Sequence, residues 1–272
     1  MKEVYGVIGD PVEHSLSPVM HNAAFEALNM DAIYLAFRVP PEYTRDAIRG
    51  AWSLGFSGLN VTIPLKEIAL SYVSADEIAR KIGAINTISF KKGVPYGHNT
   101  DGIAALKVLE EAVGDIREKH VLILGAGGAA KAIAFYLASA GAFVKIANRT
   151  AERAAEIASK LNASWTDLEN LKEHIKDAEI LINATSVGMY PYVENTLVTA
   201  EMMHHDLIVF DIVYNPVETR LLREAKKANV KMTIDGVKML VYQGAAAFEI
   251  WTGVEPPKEV MERAVRNALS DL

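Results

Sequence analysis

Polar side chains that could carry acid–base chemistry follow several apolar segments in the first third of the chain. Lys66 and Asp101 stand out, because an ammonium and a carboxylate that meet in a cleft can transfer and orient a proton. The other polar candidates there are Ser15, Ser17, Asn60, Thr62, Asn86, Thr87, Asn99 and Thr100. Strand ends in an open α/β sheet share one edge, so we expect these groups to converge. Hydroxyls and amides would suit a small polyhydroxylated acid.

Each of these residues also has a simpler explanation when taken singly. Hydroxyl and amide side chains are common in caps and turns, and a lone lysine is most often solvated. Asp101-Gly102 is by itself a common turn. His14 and His21 flank one of the loops, but a surface or core role is more usual for such residues. The seven histidines show no H-E-x-x-H spacing, so we predict no metal site.

A second group of candidates surrounds a glycine-rich segment. An apolar run at 121–124 precedes Gly125-Ala126-Gly127-Gly128-Ala129-Ala130, which fits the pattern G-x-G-x-x-G/A. In such a turn the first glycine allows a tight bend, the second leaves room for a pyrophosphate, and helix N–H groups face the anion. An ordinary β–α turn with nothing bound is the alternative. The preceding strand and the Ala-rich helix that follows favour dinucleotide binding.

The coenzyme preference depends on Asn148-Arg149-Thr150 at the end of the next strand. NAD-binding proteins usually carry Asp or Glu at this place, roughly 20 residues after the first glycine. Here no carboxylate repels a 2′-phosphate, and Arg149 offers a planar fork of donors. A solvated arginine is the alternative. We therefore predict that the protein binds NADP rather than NAD.

Small polar residues at 183–189 end another apolar strand. They could either contact the nicotinamide half of the coenzyme or form a hydrogen-bonded turn.

Composition limits the class of protein. The chain has 272 residues, 50% of them hydrophobic and 23% charged, which indicates a globular protein of two domains or one large one. The net charge of −6 argues against nucleic acid or an anionic membrane surface as a partner. The absence of Cys excludes disulfides, Cys-ligated metals and thiol catalysis, and it fits a cytoplasmic location. The start carries Glu3 and no long apolar run, so we expect no signal peptide.

Short strands alternate with helices along most of the chain, which predicts an α/β fold with mostly parallel sheets. Strands are expected near 4–9, 33–39, 58–62, 85–90, 121–124, 143–148, 179–184 and 207–213. Helices are expected near 18–28, 42–54, 65–73 and 103–113, with helical segments between the strands from 121 to 213 and two more helices after Gly236. Ser17 is expected to cap the first helix, Lys91-Lys92-Gly93 to form a turn, and 97–102 to be a polar loop. Residues 104–236 are interpreted as one doubly wound domain.

The chain resembles shikimate dehydrogenases over its whole length. The matching segments are His14-Ser15-Leu16-Ser17-Pro18 with His21-Asn22, Asn60-Val61-Thr62-Ile63-Pro64-Leu65-Lys66, Gly83-Ala84-Ile85-Asn86-Thr87, Gly97-His98-Asn99-Thr100-Asp101-Gly102, the glycine turn, Asn148-Arg149-Thr150, residues 183–189, Asp211-Ile212-Val213-Tyr214-Asn215-Pro216, Gly236-Val237-Lys238-Met239-Leu240 and Gln243-Gly244-Ala245. Their order makes the resemblance specific. Ala104 departs from the glycine expected there in many members, but it lies after the reactive loop.

The resemblance implies two domains: a substrate-binding domain of residues 1–103 and 237–272, and a Rossmann-like NADP domain of residues 104–236. It implies reversible reduction of 3-dehydroshikimate to shikimate with NADPH in aromatic amino-acid biosynthesis. Lys66 and Asp101 would be the catalytic pair. The implied substrate-binding residues are Ser15 and Ser17 at the carboxylate, with Asn60, Thr62, Lys66, Asn86, Asp101, Tyr214 and Gln243. The implied NADP contacts are Gly125, Ala126, Gly127, Gly128, Ala129, Asn148, Arg149, Thr150, Thr185, Val213 and Gly236.

Three alternatives remain open from the sequence. A quinate/shikimate dehydrogenase of broader specificity would share these motifs. A non-catalytic dinucleotide sensor would not need both Lys66 and Asp101. A folate-linked dehydrogenase of similar architecture should not need the Ser15–Ser17 pair. We expect a small-molecule substrate and a monomer or homodimer.

Overall fold

The computed structural model describes residues 2–90 and 93–271. Lys91 and Lys92 of the expected turn lie outside these residues, while Gly93 has a φ of +74°. The chain separates into two compact units, one of residues up to Ala104 and from Val241 onward, the other Ala105–Leu240. The chain passes between them within two helices, α5 (Asp101–Val113) and α10 (Val237–Thr252).

The first unit is built on a mixed sheet. Its other elements are β1 (Glu3–Gly9), α1 (Ser17–Ala27), β2 (Ala32–Arg38), α2 (Thr44–Ser53), β3 (Gly58–Val61), α3 (Lys66–Leu70), β4 (Ser74–Ala75), α4 (Glu77–Ile82), β5 (Thr87–Ser89), β6 (Tyr96–His98) and α11 (Lys258–Ser270). The strand order is β2-β1-β3-β5-β6-β4. Strands β2, β1 and β3 are parallel, whereas β5 runs antiparallel to both β3 and β6. The loops after β1 and β3 therefore leave the sheet at the same edge.

An aromatic cluster joins the C-terminal helices to this sheet. Trp251 of α10 is fully buried and donates its indole N–H to the carbonyl oxygen of Ile88 at 3.0 Å. Its ring lies 5.1 Å from that of Tyr5 and 6.2 Å from that of Tyr34. Tyr34 also stacks on the fully buried His21, with ring centroids 4.4 Å apart. Burial lowers the pKa of His21 to about 3, so this ring is a neutral part of the core.

The second unit is a six-stranded parallel sheet with helices between the strands. Its elements are β7 (His120–Leu124), α6 (Gly128–Ser139), β8 (Phe143–Ala147), α7 (Ala151–Leu161), β9 (Ser164–Thr166), α8 (Leu171–Lys176), β10 (Ile180–Asn183), β11 (Ile208–Asp211), α9 (Arg220–Lys227) and β12 (Met232–Ile234). The strand order β12-β11-β10-β7-β8-β9 is that of the dinucleotide-binding Rossmann fold. The order reverses between β7 and β10, and ligands bind outside the strand ends at such a point.

The fold corrects two local predictions and adds elements. Ser17 does not cap α1 but is its first residue, and Leu16 occupies the cap position. The expected polar loop at 97–102 contains part of β6 and the start of α5. Gly97 pairs with Ile88 in the sheet, and a Cβ there would lie 2.8 Å from Cγ2 of Val73, so close packing requires the glycine. Strands β4, β6, β9 and β12 and helices α4 and α9 had no counterpart among the expected elements.

Within residues 2–90 and 93–271, every helix falls short of the length and apolar character that crossing a membrane requires.

Candidate active site

Lys66 and Asp101 form an ion pair in the first unit. Each is the first residue of a helix, Lys66 of α3 and Asp101 of α5. Lys66 Nζ lies 2.5 Å from Asp101 Oδ2, and the two side chains are 17% and 5% exposed. The sequence prediction that these residues meet is therefore consistent with the geometry. The ammonium keeps partial access to solvent, which a proton-transferring group needs.

Asn86 fixes the carboxylate from its other side. Its Nδ2 donates to Asp101 Oδ1 at 2.9 Å, to Thr100 Oγ1 at 2.8 Å and to Gln243 Oε1 at 3.2 Å. Its Oδ1 accepts the Thr100 backbone N–H at 2.8 Å. Both oxygens of Asp101 thus have a donor, and a carboxylate held on both sides is oriented before any substrate arrives.

Asn60 supports Asn86 from the neighbouring strand. Its Nδ2 donates to the carbonyl oxygen of Asn86 at 3.0 Å and to Thr87 Oγ1 at 3.1 Å. Its Oδ1 accepts the Tyr34 hydroxyl at 2.7 Å. The amide hydrogens are engaged within the protein, so Asn60 can offer a substrate only a remaining lone pair.

The serine pair and Thr62 lie where the loops after β1 and β3 leave the sheet. Ser15 Oγ accepts the backbone N–H of Ser17 at 3.3 Å at the start of α1. Ser17 is buried, and Ser15 and Thr62 are partly exposed. The Thr62 carbonyl accepts the N–H of Leu65 at 2.8 Å, a turn that leads directly into Lys66. Hydroxyls at this edge would suit an acidic, hydroxylated ligand.

The glycine turn of the second unit lies between β7 and α6. Gly125 has φ +112°, and a Cβ there would lie 2.9 Å from the carbonyl oxygen of Ala184, so no other residue fits without strain. Gly127 faces open space, since a Cβ built on it meets no described atom within 4 Å. Among the described residues, no side chain caps α6. Its first N–H groups are therefore open to an anion.

The segment after β8 carries the predicted 2′-phosphate contact. Asn148 Nδ2 donates to the carbonyl oxygen of Thr150 at 2.9 Å, which shapes the turn into α7. Arg149 is exposed, and no hydrogen bond or ion pair with the rest of the described chain engages its guanidinium. The guanidinium N–H groups of Arg149, which no carboxylate of the described chain engages, therefore remain available to a phosphate.

The remaining coenzyme candidates follow the other parallel strands of the second unit. Thr185 follows β10, Val213 follows β11, and Gly236 follows β12. The glycine turn and these three residues therefore share the carboxyl edge of the sheet. Tyr214, predicted to line the substrate, directly follows Val213 in this unit.

Asp211 is a buried carboxylate to which the sequence analysis gave no role. It is fully buried at the end of β11 and accepts from Thr219 Oγ1 at 2.6 Å, Asn183 Nδ2 at 2.9 Å and the Val213 N–H at 3.0 Å. All three donors are uncharged. Burial raises the pKa of Asp211 to about 6, and the hydrogen bonds only partly oppose this. The sequence signal that could have pointed to Asp211 is an aspartate at the end of an apolar strand.

The described part of the chain has no group of three or more His, Cys, Asp or Glu side chains that could hold a metal ion.

Family models match most of the chain. One described as the shikimate dehydrogenase substrate binding domain matches residues 7–88. A second, described as shikimate / quinate 5-dehydrogenase, matches residues 107–239. A third, described as the shikimate 5′-dehydrogenase C-terminal domain, matches residues 236–266.

Individual relatives are similar over nearly their full length. A protein from Methanococcoides burtonii named shikimate dehydrogenase (NADP(+)) is 56% identical, with 99% of each chain covered. A crystal structure of a shikimate dehydrogenase in complex with NADP+ has TM-score 0.92 and 47% identity, covering 98% of this chain and 96% of that one. The Thermus thermophilus enzyme in complex with NADP(H) and shikimate has TM-score 0.88 and 39% identity, covering 98% and 100%.

A Rossmann sheet with an open glycine turn and a separate Lys–Asp pair are together typical of a nicotinamide-dependent oxidoreductase. The chain belongs to the shikimate dehydrogenase family. The resemblance and the α/β two-domain fold class expected from the sequence are confirmed.

We predict that Asp211 makes stability depend on pH. Its pKa is about 6 in the folded protein against 3.8 for an ordinary aspartate, so folding binds a proton between these values and stability falls as pH rises. Relative to Asp211→Asn, the wild type should lose about 1 kcal/mol or more of unfolding free energy between roughly pH 5 and 7.5. Urea denaturation of the ligand-free proteins measures this.

Asp206→Asn, on the surface, controls for the substitution itself. An Asp211→Asn difference that stays constant across this pH range would show that the buried carboxyl does not titrate there.

Proposed function

We propose that this chain catalyses the reversible reduction of 3-dehydroshikimate to shikimate with NADPH, and that Lys66 and Asp101 are its catalytic pair. Family membership and the full-length similarity to an NADP(+)-dependent relative support the reaction and the coenzyme. The residue assignment rests on the 2.5 Å ion pair between Lys66 and Asp101. Asn86 donates to the other carboxylate oxygen of Asp101.

Lys66 donates the proton in reduction and accepts it in oxidation. Its Nζ has three N–H bonds, and the one directed at Asp101 leaves two for a substrate oxygen. In reduction the carbonyl oxygen gains negative charge, which the ammonium stabilises before it donates a proton. In oxidation the neutral amine accepts the hydroxyl proton. Asp101 orients Lys66 and the hydroxyl, whose one proton passes to Lys66.

The substrate is held by side chains of the first unit. Ser15 and Ser17 bind the carboxylate through hydroxyl and N–H donors. Thr62, Asn86 and Gln243 bind the ring hydroxyls, since hydroxyls and amides can both donate and accept. Asn60 contributes a single acceptor and otherwise holds Asn86 in place. The assignment of Tyr214 to the substrate stays a prediction from the family resemblance.

The second unit fits NADP on its own geometry. Within the described chain, no side chain caps the start of α6 and no group pairs with Arg149. The N–H groups of α6 and the open face of Gly127 suit a pyrophosphate, and Arg149 suits the 2′-phosphate. The remaining coenzyme contacts are assigned to Gly125, Ala126, Gly128, Ala129, Asn148, Thr150, Thr185, Val213 and Gly236. When bound, NADPH supplies the hydride. The chain's residues position the two reactants and supply the proton.

These assignments give the first unit the role of binding the substrate and the second unit the role of binding NADP. Residues 1–103 and 237–272 form the substrate domain in this proposal, and residues 104–236 the NADP domain. A cytoplasmic location and a monomeric or homodimeric state remain predictions from the sequence.

We predict that Lys66→Ala lowers kcat by about 10²–10⁴-fold, the usual contribution of a positioned acid–base group. The KM for shikimate should change much less, because other side chains bind the ring. Steady-state kinetics of shikimate oxidation with NADP+ measures both. Lys81→Ala, which removes an exposed lysine from the same unit, is the matched control and should retain wild-type kcat. A Lys66 variant with wild-type kcat and a raised KM would make Lys66 a binding residue.

Arg149 should determine the coenzyme preference. Because a charge-assisted bond to a phosphate is worth about 1.5–3 kcal/mol, Arg149→Ala should lower kcat/KM for NADP+ about tenfold or more. The value for NAD+, which has no 2′-phosphate, should change little. Kinetics with both coenzymes tests this.

Arg263→Ala, which alters an exposed arginine of the first unit, should leave the ratio unchanged. An unchanged ratio in Arg149→Ala would remove Arg149 from the site.

A further inference from the structure

Asp211 connects three segments at the carboxyl edge of the second sheet. Its Oδ1 accepts from the side chain of Asn183, at the end of β10, and from the backbone N–H of Val213. Its Oδ2 accepts from Thr219, whose hydroxyl oxygen also caps α9 by accepting the Leu222 N–H at 3.3 Å. One fully buried carboxylate therefore fixes the end of one strand, the segment after another and the start of a helix.

The connection continues through Asn183 to a coenzyme candidate. With its Nδ2 directed at Asp211, Asn183 presents its Oδ1 to Thr185, which donates its backbone N–H at 3.1 Å and its hydroxyl at 2.6 Å. Thr185 Oγ1 in turn accepts the Val187 N–H at 3.1 Å. Asn183 Nδ2 also donates to the carbonyl oxygen of Val187 at 3.2 Å. Rotation of the amide by half a turn would place its Nδ2 against the Thr185 N–H and its Oδ1 against the Asp211 carboxylate, so Asp211 helps to determine which way this amide points.

Thr185 and Val213 are both proposed NADP contacts, and both depend on Asp211. We propose that Asp211 is a positioning residue for the nicotinamide end of the coenzyme site, acting through Asn183 on Thr185 and directly on the Val213 backbone. This inference rests on the proposed function, because it takes these two residues as coenzyme contacts. Asp211 itself is buried behind them and acts by alignment.

If Asp211 positions the coenzyme contacts, its variants should weaken NADP+ binding. If it only stabilises the fold, they should lower Tm alone. Asp211→Ala removes the acceptor for Asn183 and Val213, so it should raise the Kd for NADP+ about tenfold, the effect of losing roughly one well-placed hydrogen bond. The KM for shikimate at saturating NADP+ should change less than about twofold, since the first unit binds shikimate. Asp211→Asn keeps a side-chain oxygen for both donors and should restore the Kd to within about threefold of wild type.

Isothermal titration calorimetry of the ligand-free proteins with NADP+ measures the Kd, and circular dichroism measures Tm. Asn183→Ala leaves the bonds from Asp211 to Thr219 and Val213 in place but releases Thr185, so it should raise the Kd by a similar factor. This variant decides the question if Asp211→Ala fails to fold. The double variant should bind no more weakly than the weaker single variant, because both changes break one chain of contacts.

Glu224→Gln is the matched control. Glu224 is a buried carboxylate of α9 that accepts the Ala200 N–H at 3.1 Å and pairs with Arg220, away from the proposed coenzyme contacts. It should lower Tm and leave the Kd for NADP+ unchanged.

Wild-type affinity in Asn183→Ala or in Asp211→Ala would overturn the proposal, even if Tm falls. So would an Asp211→Asn variant as weak as Asp211→Ala, because charge rather than alignment would then matter. A wild-type protein that neither binds NADP+ nor oxidises shikimate would instead overturn the proposed function itself.

Discussion

A lysine and an aspartate that lie largely out of solvent stay in a reactive arrangement only if the surrounding groups hold the carboxylate. Here Lys66 and Asp101 meet at 2.5 Å, and Asn86 occupies the other oxygen of the carboxylate. Asn86 is held in turn by Thr100, and Asn60 contacts the Asn86 backbone. Polar groups at such depth need satisfied partners, and the amide of Asn86 supplies one to Asp101.

In the second unit, strand ends and a buried hydrogen-bonded carboxylate again place the candidate residues, here for an anionic coenzyme. Its parallel strands bring the ends of β7, β8, β10, β11 and β12 to one edge, where backbone donors and small side chains can meet an anionic coenzyme. A fully buried carboxylate, Asp211, accepts hydrogen bonds there from Asn183 and from the Val213 backbone. In both units a buried asparagine amide donates to a buried aspartate, Asn86 to Asp101 in the first and Asn183 to Asp211 in the second.

The sequence predicted much of this and missed the part that depends on three-dimensional contacts. Long apolar strands and the glycine turn were found because their patterns are local, as at 121–130. The short elements β4 and β6 escaped because strands of two or three residues carry almost no periodicity. Ser17 fits a cap pattern, yet the helix begins one residue earlier than a capping serine requires. Asp211 went without a role because its partners Asn183 and Thr219 are distant in sequence.

The rate of NADP+ reduction by the wild-type protein with shikimate, measured beside quinate and beside NAD+, tests the proposed reaction most directly. We expect rapid turnover with shikimate and NADP+, and much slower turnover when either is replaced. Comparable rates with quinate or NAD+ would place the chain among dehydrogenases of broader specificity. Measurable NADP+ binding without turnover of shikimate would contradict the catalytic role of Lys66 and Asp101.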